Sequence, residues 1–497
     1  MPTTTGERGL VGLVRQVRAP DVSVAYHPAT GRLLRMSRLD GRCPEPAEGA
    51  TKRLSEFGGA DLSSAKVQMA LAAAPTMQPP PAPPEPGPID RLSLHVSHDC
   101  NMRCRYCYAD GGPYGLPRER MVPTAAEQVV RRLAHCARSI SLIQFFGGEP
   151  ALALDAIEAA CTAARSLYDE GVLDELPSLR VATNLAALPS AFSELVRRFG
   201  LEVVVSCDGP QSLHDELRQL PDGRGSFAVV ADNIARLQAV TDGREPRAIA
   251  ATYTRLHQHA GMGPAELSSF LSERLGVPEV VISPAAATGP AQAEFAPEWS
   301  ANREEHVEHA RQALRGVARG DQRIDVTGLM MAPCIMFASQ AACDRFCPAA
   351  VNSISVTPTG DIYPCHMFIG RDDFRMGNAL RDEAIQDSRD YRRVWRVFRD
   401  NVKSENPKCE QCWLRLICRS CPGLMLKVNG AINRPVESDC MLKQGLTEGA
   451  LLEIARIRQD PARWASFLAN VQVIIRAARR IPAAVGVAAN GEVPIAA

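Results

Sequence analysis

The chain of 497 residues is expected to fold as an α/β protein on a parallel sheet, with a cysteine-rich domain behind it and a small α+β module in front. Three observations carry this expectation. Between residues 91 and 283 short apolar strands alternate with helical patterns, which calls for parallel strands joined by right-handed crossovers. Seven of the sixteen cysteines fall between Cys347 and Cys440. The run from Pro75 to Pro88 is too rich in proline for helix or strand and reads as a linker.

Charge narrows the function classes. Lys plus Arg and Asp plus Glu both count 56, so there is no basic field of the kind that binds nucleic acid or anionic membrane. The opening Met-Pro-Thr-Thr-Thr-Gly-Glu-Arg lacks a basic and then apolar run, and no segment offers a membrane-length apolar stretch. The reading is a cytoplasmic protein with no nucleic-acid and no membrane partner. Cysteines grouped in pairs within a large intracellular chain point to metal rather than disulfides.

Residues 1–74 form the first module. Val22–Tyr26 and Arg32–Met36 flank His-Pro-Ala-Thr-Gly as a hairpin, Asp61 can cap a helix through Leu71, and Cys43 has no assigned role. Residues 75–89 are the linker. Residues 90–322 carry six strands, at Leu92–Ser97, Ser141–Phe146, Leu179–Thr183, Glu202–Ser206, Arg247–Thr252 and Glu279–Ser283. Thr124-Ala-Ala-Glu127 reads as a capping box for a helix bearing Val129, Val130, Leu133, Ala137 and Ile140. Asp155 caps the next, with Ile157, Cys161, Ala164 and Tyr168 in register, and further helices are expected at 189–199, 227–240 and 264–275. Cys136, Cys161 and Cys207 are expected in the core.

Two stretches carry chemistry. Cys100, Cys104 and Cys107 follow the first strand, and three thiolates are one too few for a closed tetrahedral zinc site but enough for a cubane with one open iron. Gly147-Gly-Glu-Pro150 follows the second strand, where glycines allow close approach and a carboxylate can pair with an ammonium. Residues 323–445 hold the remaining cysteine cluster. Cys347 and Cys365 bracket a hairpin with a Pro-Thr-Gly-Asp turn, followed by Cys409, Cys412, Cys418, Cys421 and Cys440. Residues 446–497 are read as two helices, from Gly445 to Ile457 and before Pro482, with a frayed tail.

Together these motifs resemble radical S-adenosylmethionine (SAM) enzymes with a SPASM extension, over about residues 91–445. The resemblance implies a partial (βα)6 barrel, S-adenosyl-L-methionine, and a [4Fe-4S] cluster on Cys100, Cys104 and Cys107. It assigns the cofactor's amino group to Gly147, Gly148 and Glu149, and adds Tyr106, Asn184, Ser206 and Arg218 to the cofactor set. Asp208-Gly-Pro210 with His214, Asp215 and Arg218 resembles a stretch of the peptide-modifying branch. Two auxiliary [4Fe-4S] clusters are implied, an outer one on Cys409, Cys412, Cys418 and Cys440 and an inner one on Cys347, Cys365 and Cys421. Cys343 and Cys334 are candidates for the inner fourth ligand. Cys418 and Cys421 stand two residues apart where the family usually has three, and Cys343 lies unusually near Cys347. A zinc knuckle and a zinc ribbon are the plain metal alternatives.

The resemblance further implies a peptide or protein substrate with a leader segment, bound by residues 1–74, and a reducing partner such as ferredoxin or flavodoxin. Among the activities, thioether formation in a ribosomally made peptide fits best. An anaerobic sulfatase-type maturase has an aspartate base after the hairpin cysteine, where this chain has His366. A peptide epimerase or carbon-carbon crosslinking enzyme comes third, and a non-catalytic metal-binding or redox-sensing protein would leave Gly147–Pro150 without a purpose. His366 and Asp208 are the candidate catalytic groups.

Overall fold

The computed structural model describes residues 15–18, 23–27, 32–36, 79–286, 289–298, 303–320 and 342–479. The helix expected from Asp61, Cys43, Cys334 and the terminal tail lie outside the described residues.

Strands β1 (Arg15–Arg18), β2 (Ser23–His27) and β3 (Arg32–Met36) form an antiparallel sheet, one strand more than the expected hairpin. From residue 79 to 88 the chain forms no helix or strand. Next come β4 (Arg91–Ser97) and β5 (Arg103–Cys104). β6 (Leu142–Gly147), β7 (Ser178–Thr183), β8 (Glu202–Ser206), β9 (Arg218–Gln219), β10 (Ala248–Tyr253) and β11 (Val280–Pro284) then alternate with helices. β12 (Ser353–Val356), β13 (Asp361–Tyr363) and β14 (Gly377–Asn378) complete the described strands.

The main sheet runs β11-β10-β8-β7-β6-β4-β12-β13-β14, and its first six strands are the expected parallel set. One pairing was not foreseen: β12 lies parallel to β4, with Ser353 opposite Arg91 and Val356 opposite Leu94. The cysteine-rich domain therefore extends the barrel sheet rather than standing beside it. β13 returns antiparallel to β12, which is the expected hairpin. The period-2 alternation of β4 sends Leu92, Leu94 and Val96 into the apolar core with Val129, Val130 and Leu133. Arg91, Ser93, His95 and Ser97 occupy the opposite face.

Helices α1 (Pro123–Ala137), α2 (Leu154–Asp169), α3 (Ser190–Phe199), α4 (Phe227–Val240) and α5 (Pro264–Leu275) join the strands. The Thr124 capping box does not form. Pro123 occupies the first turn with its fixed φ already suited to a helix, so α1 starts two positions early, after Val122, and Thr124 lies inside it. Asp155 likewise sits inside the first turn of α2, accepting from the Ala156 amide at 2.9 Å, and Ala153 is the N-cap. Cys161 and Cys207 are buried as expected, whereas Cys136 and Tyr168 are exposed, each on the solvent side of its helix.

Helix α6 (Arg303–Ala318) packs on α7 (Glu437–Ile457), with Gly449 admitting the Val307 carbonyl where a side chain would collide. Arg311 and Arg315 both reach the enclosed Glu453 carboxylate, at 3.4 and 3.0 Å. α7 begins at Glu437 rather than Gly445, so it runs through the expected boundary at 445 and carries Cys440 in its first turns. The β1–β3 sheet lies against α7. α8 (Pro461–Arg479) is the second expected terminal helix. No helix among the described residues is long and apolar enough to cross a membrane.

Candidate functional site

The loop with the first three cysteines leaves the C-terminal end of β4 and folds against the Gly147-Gly-Glu-Pro150 turn. Gly148 and Glu149 donate their amides to the Ser97 and Asp99 carbonyls, each at 2.8 Å. Side chains at Gly147 or Gly148 would run into those same two carbonyl oxygens, and Gly147 has φ +133°. The close approach that requires glycine is thus made by the cysteine loop itself.

Glu149 is 1% exposed. Its carboxylate accepts from the Thr183 hydroxyl at 2.6 Å, the Asn184 amide at 2.7 Å and the Ala151 amide at 3.0 Å. Burial raises its pKa above the ordinary carboxyl value, opposed by those donors. Asn184 then ties the end of β7 to the cysteine loop, its Nδ2 lying 2.8 Å from Asn101 Oδ1 and 3.7 Å from Cys100 Sγ. Ser206 closes β8 half-buried, at the same end of the sheet.

A second strap crosses the loop. β5 pairs with β9, Arg103 opposite Gln219 and Cys104 opposite Arg218. Arg218 donates to the Tyr106 hydroxyl at 2.7 Å, and Tyr106 donates to Asp208 Oδ2 at 2.5 Å. Asp208 is fully enclosed, and its other oxygen accepts from the Thr252 amide at 2.8 Å. Both oxygens of Asp208, one of the candidate catalytic groups, are thus engaged by neighbours. Arg218 spends Nη1 on Tyr106 and lies 3.8 Å from Asp208. His214 lies beneath this strap, where its Nδ1 takes the Asp208 amide at 3.2 Å and its Nε2 lies 2.9 Å from Ser226 Oγ.

The interior face of β4 meets a group of rings that the motifs did not reveal. His95 contacts His98, Tyr114 and Phe146, with centroids 5.8, 5.4 and 5.4 Å away. Alternation along β4, which puts His95 on the face opposite Leu94 and Val96, was the available signal. Tyr108 lies between the two chemical regions: its ring sits 5.5 Å from His366, and the charges of Cys107 and Cys365 are both felt at its hydroxyl. His366 also faces Phe146 at 5.5 Å. Burial, with Arg91 and Lys427 nearby, pushes His366 down to about 3, so it rests as a neutral ring and is a far weaker base than its unperturbed pKa suggests.

The thiols fall into three groups. Cys100 is pushed up to about 12 by burial and by the neighbouring charges of Glu149, Cys104 and Cys107. Cys104 is pushed up to about 11 by burial, with Arg218 opposing. Burial raises Cys347 and Cys365, and Cys421 acts on both. Burial raises Cys409 to about 12, reinforced by Cys418, Cys412 and Cys440. Neutral thiols in such company need positive charge from a metal group to ionise together. The Cys343 Sγ lies 3.2 Å from the Arg345 carbonyl, and its amide donates to the Leu416 carbonyl. Among the described residues no three His, Cys, Asp or Glu side chains converge as one bare ion would require. The thiols around Cys100, Cys347 and Cys409 are the soft donors that an iron-sulfur cluster takes.

The radical SAM superfamily pattern matches residues 94–242, and that of the SPASM iron-sulfur cluster-binding domain matches residues 347–413. An uncharacterized protein of Archaeoglobus fulgidus is 23% identical over 347 residues, 69% of this chain and 76% of that protein. The radical SAM cyclopropyl synthase TigE of Paramaledivibacter caminithermalis is 28% identical over 152 residues, 28% of this chain and 30% of TigE, so the match spans under a third of that enzyme. The solved structure of anSMEcpe with bound AdoMet superposes with a TM-score of 0.57 at 17% identity, covering 77% of this chain and 98% of that one. Streptococcus suis SuiB bound to precursor peptide SuiA gives 0.50 at 16% identity, covering 71% and 76%. These likenesses show a shared fold, and the two domain matches give this chain a radical SAM domain followed by a SPASM domain.

Proposed function

We propose that this protein is a maturase that joins a cysteine sulfur of a ribosomally made peptide to a carbon of another residue, with the loss of two hydrogens. The observation that carries the reading is Tyr108, whose ring lies against His366 and whose hydroxyl feels both Cys107 and Cys365, so that the first cysteine loop and the inner set meet at one side chain. With SAM and a [4Fe-4S] cluster on Cys100, Cys104 and Cys107, the site would supply a 5′-deoxyadenosyl radical that takes a hydrogen atom from the substrate. Glu149, Asn184 and the Tyr106–Asp208–Arg218 strap hold the loop so that the cofactor is oriented. The rings of His95, His98, Tyr114 and Phe146 keep water from the radical.

Cys409, Cys412, Cys418 and Cys440 would hold the outer auxiliary cluster, and Cys347, Cys365 and Cys421 the inner one. Three thiols at the inner site leave a position for a substrate thiolate, a soft ligand suited to iron-sulfur groups; the thiol proton would leave to solvent, and the electron released as sulfur bonds to the carbon radical would pass to that cluster. A ferredoxin or flavodoxin would supply the electron. The β1–β3 sheet would receive the leader, because an extended peptide can add to a sheet edge. SuiB, which has the same fold, is solved with a precursor peptide.

Incubating anaerobically reconstituted protein with candidate precursor peptides and weighing the products tests the reading. A loss of two hydrogens together with one alkylatable thiol is expected. A product lighter by two hydrogens that keeps every free thiol contradicts thioether formation.

A further inference from the structure

Two ammonium groups are enclosed beside the outer cysteine set. Lys403 is 1% exposed, and its Nζ donates to the carbonyls of Cys343 at 2.5 Å and Cys418 at 2.6 Å. The carboxylate nearest in effect, Asp344, is committed to Ser404 and lies 4.0 Å from Arg415. Lys443 is 6% exposed, donating to Ser420 Oγ at 3.0 Å and to Asp439. Ser420 Oγ is in turn 3.5 Å from Cys418 Sγ. The charge of Cys418 is felt at both lysines, that of Cys343 at Lys403 and that of Cys440 at Lys443. The cations near the inner set, Arg91, Arg419 and Lys427, are only half-buried and better screened.

An ammonium taken out of water needs an opposite charge nearby, and Lys403 forms none of its hydrogen bonds with a carboxylate. A cubane on four thiolates is net negative and gains one further negative charge on reduction, so a cation fixed in a low-dielectric surround favours the reduced form. We propose that Lys403 and Lys443 set the reduction potential of the outer cluster, raising it and so favouring the state that holds an extra electron. This rests on the assignment of Cys409, Cys412, Cys418 and Cys440 to that cluster. Lys403 carries the larger part, because Asp439 shares the charge of Lys443.

The test is a potentiometric titration followed by electron paramagnetic resonance on full-length reconstituted protein. A Cys100→Ala, Cys104→Ala, Cys107→Ala background leaves only the auxiliary signals. Lys403→Met should make the outer cluster's one-electron reduction at least tenfold less favourable, a negative shift of about 59 mV or more. Lys443→Met should shift it the same way by less, Lys403→Arg should preserve it, and the inner midpoint should not move. Asp439→Asn removes the carboxylate that offsets Lys443 and should shift the outer midpoint positive. An unmoved midpoint in an iron-replete Lys403→Met protein overturns the proposal. If Lys403→Met does not retain the cluster, an unmoved midpoint in Asp439→Asn overturns it instead. Failure of the cluster assignment looks different: Cys409→Ala with Cys412→Ala would then leave iron and sulfide contents unchanged instead of removing one cluster.

Discussion

Cys104 and Arg218 stand opposite each other in the β5–β9 ladder, so the middle cysteine of the loop is held in register with the arginine of the His214-Asp-Glu-Leu-Arg218 stretch. Arg218 also lowers the thiol pKa of Cys104 against the effect of burial. Backbone pairing and charge therefore act on the same sulfur, from a segment more than a hundred residues further along the chain.

Removing that cation should loosen the loop without unfolding the barrel. Arg218→Ala leaves Tyr106 and Asp208 enclosed beside an empty site, and reductive SAM cleavage should fall by about 10- to 100-fold, as when an outer-shell partner of a metal ligand is lost. Formation of 5′-deoxyadenosine, measured alongside iron content, checks this. Wild-type cleavage in the variant would show that the strap is dispensable.

Glu149 should matter to stability as well as to cofactor binding. In Glu149→Ala the Thr183 hydroxyl and the amides of Asn184 and Ala151 lose their acceptor, a loss of about 2 kcal/mol or more given about 1 to 3 for each buried group left unpaired. Glu149→Gln keeps an acceptor oxygen and should lose less. Urea unfolding of the two variants decides the order.

The inner cysteine set should not depend on the upstream thiols. A Cys334→Ala, Cys343→Ala double variant is expected to retain the iron and sulfide of the parent and its crosslinking activity. Loss of about four irons per chain would make one of these residues a ligand and close the position proposed for a substrate thiolate.

Acid should weaken the strap through His214. Burial pushes His214 down to about 4 from an ordinary value of 6.5, so between these pH values the unfolded chain binds a proton that the folded one refuses. The stability this group confers is complete above the unfolded value and is lost as pH falls. From about pH 7.5 to about pH 5.5 the loss from this one group is roughly 1 kcal/mol. Urea unfolding at both pH values should show a smaller acid penalty in His214→Gln than in the wild type.

Much of the barrel was legible because its elements repeat a period over several residues. Phe227–Val240 and Pro264–Leu275 were placed to the residue, since each presents an apolar stripe between clear stops. The two-residue strands β5 and β9 were not, because no pattern fits in two residues. The β4–β12 pairing joins segments more than 250 residues apart, and its parallel register depends on tertiary packing alone. Cys136 went wrong because cysteine occurs on both sides of a helix and only the packed fold says which side faces solvent. The cysteine loop and the Gly147-Gly-Glu-Pro150 turn were legible as motifs, and the structure sets them against each other. The hydrogen-bond partners that hold them, Thr183 and Asn101 among them, carried no motif. His366 was found by position, but its weakness as a base follows from burial, which the sequence does not display.

Iron and acid-labile sulfide analysis of anaerobically reconstituted full-length protein, with a zinc measurement on the same sample, tests the central claim most directly. Three cubane clusters predict about twelve irons and as many sulfides per chain, with about four of each lost when Cys100, Cys104 and Cys107 are replaced together by Ala and SAM cleavage abolished in that variant. A zinc-replete protein without sulfide would contradict the account.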